Sequence, residues 1–300
     1  MEKIGQTINK KGQLVRNNAN ELIQVILADP EVAEFISSHQ LSQDEINLSL
    51  SKFNQFLVER AKFKTGDPSY IAKGYSPILV MNEGYADVSY QETRELIDAK
   101  TKAAISDRIN LVNLPKSYRN IRMSDFDINN ASRMKALSEL LDFVEQYPSP
   151  DQKGLYLFGD MGIGKSYLMA AMARELSEQK GISTTLLHFP SFTIDVKNAI
   201  STGSVKEEID AIKSVPVLIL DDVGAEQATS WVRDEILQVI LQYRMLEDLP
   251  TFFTSNYSFN DLEKKWANIK GNDETWQAKR VMERVRYLAK EFHLEGANRR

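Results

Sequence analysis

The residues Gly159-Asp160-Met161-Gly162-Ile163-Gly164-Lys165-Ser166 have the spacing G-x-x-x-x-G-K-S, that of a phosphate-binding loop. Glycine at 159, 162 and 164 lets the backbone take positive φ and approach an anion closely. The N–H groups of Gly159 through Tyr167, and the helix they open, can then point at phosphate oxygens. Lys165 places a cation at the β and γ phosphates of a nucleotide, and Ser166 offers its hydroxyl to Mg²⁺.

A second acidic site lies downstream. Val217-Leu218-Ile219-Leu220 reads as a buried strand with Asp221-Asp222 at its carboxyl end, the edge where ligands of parallel α/β sheets bind. Asp221 can hold Mg²⁺ through water or through the Ser166 hydroxyl. Asp222 can orient or deprotonate an attacking water, with Glu226 as the weaker alternative for that base. Thr251-Phe252-Phe253-Thr254-Ser255-Asn256 reads as a further strand that ends in a polar group. Asn256 would then sit between the aspartate strand and the phosphate loop, where it could position the water or touch the γ phosphate. Arg280 and Arg284 lie one turn apart on one helix face. They are either a solvated, ion-paired face or a finger that reaches the nucleotide of a neighbouring subunit.

Positioning these groups requires a particular set of elements. Leu155-Tyr156-Leu157-Phe158 is a short apolar run of the kind found in a buried parallel strand. After the loop, Leu168, Met172 and Leu176 recur at four-residue spacing, so Tyr167 to Gln179 reads as a helix stopped by Gly181. Helices are expected from about Asn130 to Gln146, Pro190 to Ile200, Ala228 to Asp248 and Trp276 to Lys290, with a second strand over Thr184 to Phe189. Pro190 to Lys197, with Phe192 for stacking and Lys197 for charge, is a candidate surface for single-stranded nucleic acid. A core phenylalanine and a solvated lysine explain those two residues equally well.

The first third carries no catalytic pattern. Leu22, Ile23, Ile26 and Leu27 suggest one apolar helix face. Ser42 with Glu45 has capping-box spacing, ahead of the stripe Ile46, Leu50, Phe53 and Leu57. Ile78 to Met81, Asn82-Glu83-Gly84 and Ala86 to Tyr90 read as a β-hairpin, and Glu92 to Asn113 as a polar helix or linker. A boundary near residue 105 divides a docking module, 1–105, from a nucleotide-binding domain, 106–300.

Composition narrows the classes. With 42% hydrophobic and 26% charged residues, the chain is an ordinary globular protein. No apolar run approaches the roughly 20 residues of a membrane span, and Met1-Glu2-Lys3-Ile4-Gly5 lacks a signal-peptide core. A cytoplasmic protein with no membrane partner is expected. The formal charge of −5 excludes a global basic footprint, so contact with nucleic acid must be local. Zero cysteines exclude thiol catalysis and disulfides, and His39, His188 and His293 show no metal-binding spacing.

With these pieces placed, the sequence resembles the DnaI-type AAA+ replicative helicase loaders, the DnaC/DnaI family. The resemblance is carried by LYLFGDMGIGKSYLMAAMARELSE, PVLILDDVGAEQATSWVRDEIL, QYRMLEDLPTFFTSNYS, RVMERVRYLA and the ending LEGANRR, and more weakly by MEKIG and GYSP. It implies that the N-terminal domain binds the hexameric replicative helicase. The second domain would bind ATP, Mg²⁺ and single-stranded DNA, in an assembly that includes other primosome proteins and self-association. By position, Gly159, Gly164, Lys165 and Ser166 match Walker A, Asp221 and Asp222 match Walker B, and Asn256 matches sensor 1. Arg284 matches the arginine finger with Arg280 as its companion, and Arg299 is a candidate sensor 2. The segment Tyr118 to Phe126 resembles the one that borders adenine in relatives.

One departure concerns zinc. The family can build a zinc site from three cysteines and the histidine of GYHP. Here Ser76 takes the histidine place and no cysteine exists, so no zinc is expected. Packing around Phe53, Phe56, Phe63, Tyr70 and Tyr75 would have to replace it. After Asn256 too little chain remains for a separate helical lid.

The expected fold is therefore a three-layer α/β P-loop AAA+ ATPase with a central parallel sheet and a reduced or absent lid, behind a mainly helical N-terminal domain with a small hairpin. The expected function is ATP-dependent helicase loading with weak ATPase activity that rises in the assembly. The same motifs would serve a transposition-helper ATPase or a non-catalytic ATP-binding adaptor. A P-loop metabolite kinase is disfavoured by Asn256 and the paired arginines.

Overall fold

The computed structural model describes residues 20–149, 152–269 and 271–299. Met1 to Gly5 and Arg300, which belong to the stretches MEKIG and LEGANRR that carry the resemblance, lie outside them. The chain divides into two compact units, Met1–Thr101 and Lys102–Arg300.

The first unit holds α1 (20–27), α2 (Pro30–Ser38), α3 (Gln43–Thr65), β1 (Tyr75–Asn82) and β2 (Tyr85–Glu92). α4 (Arg94–Asp107) begins in it. Asp29 caps α2 by accepting from the amides of Glu31 and Val32, and it also pairs with Arg60 of α3. The Ser42–Glu45 capping box forms as expected and opens α3. Glu83 and Gly84 both have positive φ, 49° and 90°, which a two-residue turn with the right-handed twist of a hairpin demands. The core consists of Ile26, Val32, Phe35, Phe53, Phe56 and Ala86. Leu22, expected on the buried face of α1, is instead 53% exposed. On α3 the fully buried residues are Ser49, Phe53 and Phe56, flanked by half-buried Ile46, Leu50 and Leu57. Ser49 Oγ accepts from the Ala86 amide at 2.9 Å and ties α3 to β2. Near the Ser76 position, the Tyr70 ring packs at a tilt against Phe63, 5.7 Å between centroids, and its hydroxyl donates to the Tyr75 carbonyl at 2.8 Å.

The second unit is a six-stranded sheet in the order β10-β4-β7-β6-β5-β3. Its strands are β3 (Ile109–Val112), β4 (Gly154–Phe158), β5 (Thr184–His188), β6 (Val217–Val223), β7 (Thr251–Ser255) and β10 (Ala289–His293). Every pairing in it is parallel, so crossover helices must cover both faces. One face is covered by α5 (Ala131–Gln146) and α6 (Lys165–Glu175). The other is covered by α7 (Phe189–Ala199), α8 (Val205–Lys213), α9 (Gln238–Leu246), α10 (Phe259–Ala267) and α11 (Thr275–Leu288). A two-stranded turn, β8 (Asn268–Ile269) and β9 (Asn272–Asp273), joins α10 to α11.

This is the expected three-layer AAA+ sheet, with local differences. Ile109–Val112, read as part of a polar linker, is the edge strand β3, paired with β5. The last helix ends at Leu288, and Ala289–His293 becomes β10 on the opposite edge, paired with β4. The helix after the phosphate loop continues past Glu175 as a π segment, Leu176–Lys180, and a second π segment, Val232–Leu237, precedes α9. After Asn256 the chain packs back onto the sheet through α10, α11 and β10, and among the described residues no separate lid forms.

Arg244 of α9 shows how tightly the sheet is tied. It is fully buried and donates to the carbonyls of Lys213 at 3.0 Å, Val215 at 2.7 Å and Pro250 at 2.7 Å, and to Thr251 Oγ1 at 2.7 Å. These groups flank the starts of β6 and β7. Burial pushes its pKa down to about 9, so it stays charged at neutral pH.

Candidate nucleotide-binding site

The phosphate loop leaves β4, the strand beside the edge strand β10, and opens α6. Gly159, Gly162 and Gly164 take φ of 147°, 77° and 97°, the region open to glycine at little cost. Gly159 is needed for a second reason, and Gly162 leaves room for the Asn298 side chain. A Cβ on Gly159 would lie 2.3 Å from the Leu294 carbonyl oxygen, and one on Gly162 would lie 2.3 Å from Asn298 Oδ1. The chain after β10 therefore runs directly against the loop. The Leu294 amide donates to the Phe158 carbonyl at 2.8 Å, and the Arg299 amide to the Gly162 carbonyl at 3.1 Å. Met161 is exposed at the loop tip, and the Ile163 side chain is buried in the core below.

Lys165 is 7% exposed. Its Nζ donates at 2.8 Å to the Gly159 carbonyl, the Asp160 carbonyl and Asn256 Oδ1. Asn256, at the end of β7, turns its Nδ2 to Asp222 Oδ1 at 3.4 Å. The lysine, the asparagine and the second aspartate thus form one connected row, because β7 lies between β4 and β6. Asp222 has φ 60° at a register shift between Leu220 and Val223. Its amide donates to Thr254 Oγ1 at 2.9 Å, and the same threonine donates to Asp221 Oδ1 at 2.6 Å. Burial pushes the Asp221 carboxyl above the usual carboxylate range, opposed by hydrogen bonds from Ser166 and Thr254 and reinforced by the charge of Asp222. Ser166 and Asp221, the expected magnesium-side pair, line the same cleft.

That burial has a consequence for stability. A carboxylate with a raised folded pKa favours the fold most at low pH and loses that contribution as pH rises through the folded value. Asp221→Asn should therefore melt a few degrees higher than wild type at pH 7 to 8, with the gain shrinking towards pH 4. It should also lose magnesium-dependent nucleotide binding. Thermal melts across pH, with and without Mg·ATP, would show both effects.

These groups open into a cleft of about 770 Å³. Leu114, Pro115, Tyr118, Phe126 and Tyr167 supply apolar wall, and Asp125, Asp127, Arg133 and Arg299 supply charge. His188 and Ser191 also line it, with His188 Nδ1 2.8 Å from Ser191 Oγ. The segment Tyr118 to Phe126 is therefore brought to the phosphate loop. Arg299 reaches the cleft as well, where its guanidinium pairs with Asp127.

Other expected residues stand elsewhere. Glu226 is 5% exposed and accepts from the Gly224 amide at 2.7 Å and Trp266 Nε1 at 3.3 Å. It is a buried link between the β6 turn and α10, does not line the cleft, and cannot serve as the base from there. Phe192 is 1% exposed in the core, which removes it as a stacking platform. Arg280 and Arg284 do not line the cleft of their own chain. Arg280 Nε donates to Gln238 at 3.0 Å and Arg284 Nε to Gln242 at 2.7 Å, so two glutamines hold two arginines in step. Their partners are neutral amides, which leaves the cationic charge uncompensated by them.

Thr254, Arg133, Asp127 and the glutamine pair were not singled out in the sequence, and His188 was named only as a histidine without metal-binding spacing. Thr254 had a local signal, as a polar residue that follows two phenylalanines near the carboxyl end of its strand. Arg133 had none, because its role depends on joining Asp127 and Phe126 to Ile163 in the phosphate loop.

Comparison with known proteins agrees with this geometry. The family model described as IstB-like ATP binding protein matches residues 81–300, and that of the primosomal protein DnaI N-terminus matches residues 1–90. The replicative helicase loader DnaI of Bacillus subtilis (strain 168) is 33% identical over 292 residues, spanning 93% of this chain and 92% of its own. Among solved structures, a candidate primosome component from Streptococcus pyogenes serotype M3 is 76% identical, with a TM-score of 0.58. It covers 66% of this chain and 98% of its own. A crystal structure of DnaI is 41% identical with the same TM-score, covering 63% of this chain and 98% of its own. With the phosphate loop, the aspartate pair and Asn256 gathered on one edge of a parallel sheet, and with this similarity along nearly the whole chain, the protein belongs to the DnaI family of AAA+ replicative helicase loaders.

Proposed function

We propose that the protein loads the hexameric replicative helicase in an ATP-dependent cycle, at origins or stalled forks. The observation that carries this reading is the row Lys165–Asn256–Asp222, backed by Asp221 and Ser166, in a cleft large enough for a nucleoside triphosphate. In this reading the loop amides and Lys165 bind the β and γ phosphates. Ser166 and Asp221 would hold Mg²⁺, which would supply neutralisation of the phosphate charge. Asp222 orients the attacking water, and Asn256 keeps it in line with the lysine. Tyr118 to Phe126 forms the wall for adenine. Arg299 lies close enough to the loop to sense the bound nucleotide.

Arg284, with Arg280 beside it, acts on the nucleotide of a neighbouring copy or partner. Turnover is then slow in the isolated chain and rises in the assembly. Nucleotide state biases the protein between holding and releasing the helicase, which docks on residues 1–105. Residues 106–300 also contact single-stranded DNA. The match of residues 1–90 to the DnaI N-terminus favours a loader over a transposition helper.

The test is co-sedimentation of the full chain and of residues 1–105 with the cognate replicative helicase, alongside ATPase assays with single-stranded DNA. The expected result is that both forms pellet with the helicase, and that the full chain turns over ATP faster in the complex. Failure of both forms to bind would remove the loader reading, and failure of residues 1–105 alone would mean that docking is shared with the rest of the chain. Binding without turnover under any condition would make the protein a non-catalytic adaptor.

A further inference from the structure

We propose that Arg133 is a positioning residue of the nucleotide site, which locks the base-facing wall to the phosphate loop. It lies on the first turn of α5, where its amide donates to the capping Asn130 Oδ1 at 2.8 Å. The side chain is 1% exposed. Its Nη1 donates to the Ile163 carbonyl at 2.6 Å, inside the phosphate loop. Its Nε donates to the Asp127 carbonyl at 2.6 Å, at the end of the base-facing segment. The guanidinium carbon lies 4.0 Å from the centre of the Phe126 ring. A Cβ on Gly296 would lie 3.1 Å from Nη1, and one on Gly164 would lie 3.8 Å from Nη2. One side chain therefore touches the loop, the base wall and the segment after β10.

The chemistry of these contacts is that of a spacer. Both acceptors are backbone carbonyls, and the nearby Asp127 carboxylate pairs with Arg299 instead. A buried guanidinium without its own carboxylate is costly, and both burial and the charge of Arg299 weigh against its protonated form. What such a group contributes is geometry. A planar fork can hold two carbonyls at a fixed separation while its face stacks on an aromatic ring, and a lysine cannot do all three. With the wall and loop held together before binding, the nucleotide loses less free energy to ordering the site.

The inference rests on the reading that adenine lies along Tyr118 to Phe126. The experiment is calorimetric titration of the full-length protein with Mg·ATP and with inorganic tripolyphosphate, which has the phosphates but no base. Arg133→Ala should weaken ATP binding about tenfold or more, the scale of a lost charge-assisted hydrogen-bond pair. Tripolyphosphate affinity should stay within about twofold, since the loop amides and Lys165 remain. Arg133→Lys should fall between Arg133→Ala and wild type for ATP. It carries the test alone if the alanine variant lacks a cooperative melt. Equal loss of ATP and tripolyphosphate affinity, or no loss of ATP affinity, would overturn the proposal. A wild-type protein that binds ATP no more tightly than tripolyphosphate would remove the base-wall reading itself.

Discussion

Arg284→Ala should keep ATP binding and lose helicase-stimulated hydrolysis by about a thousandfold, the lower range for removal of an arginine finger. In its own chain Arg284 sits away from the cleft, on α11. Its guanidinium donates to Gln242 and to the Arg280 carbonyl at 2.5 Å. Burial and the charge of Arg280 both disfavour its protonated form, a state that an incoming anion would relieve. Arg280→Ala should cost less, because its neighbour keeps the cation in place. Gln242→Glu should also lower stimulated turnover, since a carboxylate there would neutralise Arg284 where an amide only orients it. Steady-state hydrolysis in the helicase complex, with nucleotide affinity measured separately, decides the matter. Wild-type turnover by Arg284→Ala in that complex would sink the finger assignment.

Lys165→Ala should weaken ATP binding by roughly 100-fold, from loss of a buried cation against the phosphates, while leaving the first unit folded. The geometry makes the effect larger than loss of one charge. Lys165 Nζ is bound by two loop carbonyls and by Asn256, so its removal also frees the asparagine that touches Asp222. Titration with a fluorescent ATP analogue, with circular dichroism as a control for folding, would measure it. Retention of wild-type affinity would mean that the loop amides alone hold the phosphates and that the row Lys165–Asn256–Asp222 serves stability instead.

The nucleotide site was legible in the sequence because its chemistry is local. A glycine-rich loop needs its glycines, lysine and serine within eight consecutive residues, and a strand before it and a helix after it leave periodic apolar signals. Asp221-Asp222 and Asn256 were legible for a similar reason, as polar groups at the carboxyl ends of apolar strands. The capping box, the hairpin turn and the main helices of the second unit also follow from short-range patterns.

Tertiary structure decided the rest. Ile109–Val112 and Ala289–His293 become strands only because β5 and β4 offer them edges, and nothing in four or five residues distinguishes such a strand from a linker or a helix end. Leu22 and Phe192 show the same limit from the other side, since which apolar residues face a core depends on what packs against them. Glu226 has the composition of a base but is turned to Trp266 by the packing of α10. Arg133, Thr254 and the Gln238–Gln242 pair gain their roles from partners on distant segments. The residue types needed for the chemistry are thus written locally in the chain, whereas their separation, burial and charge environment arise only when the sheet orders its strands and brings distant segments within hydrogen-bonding distance.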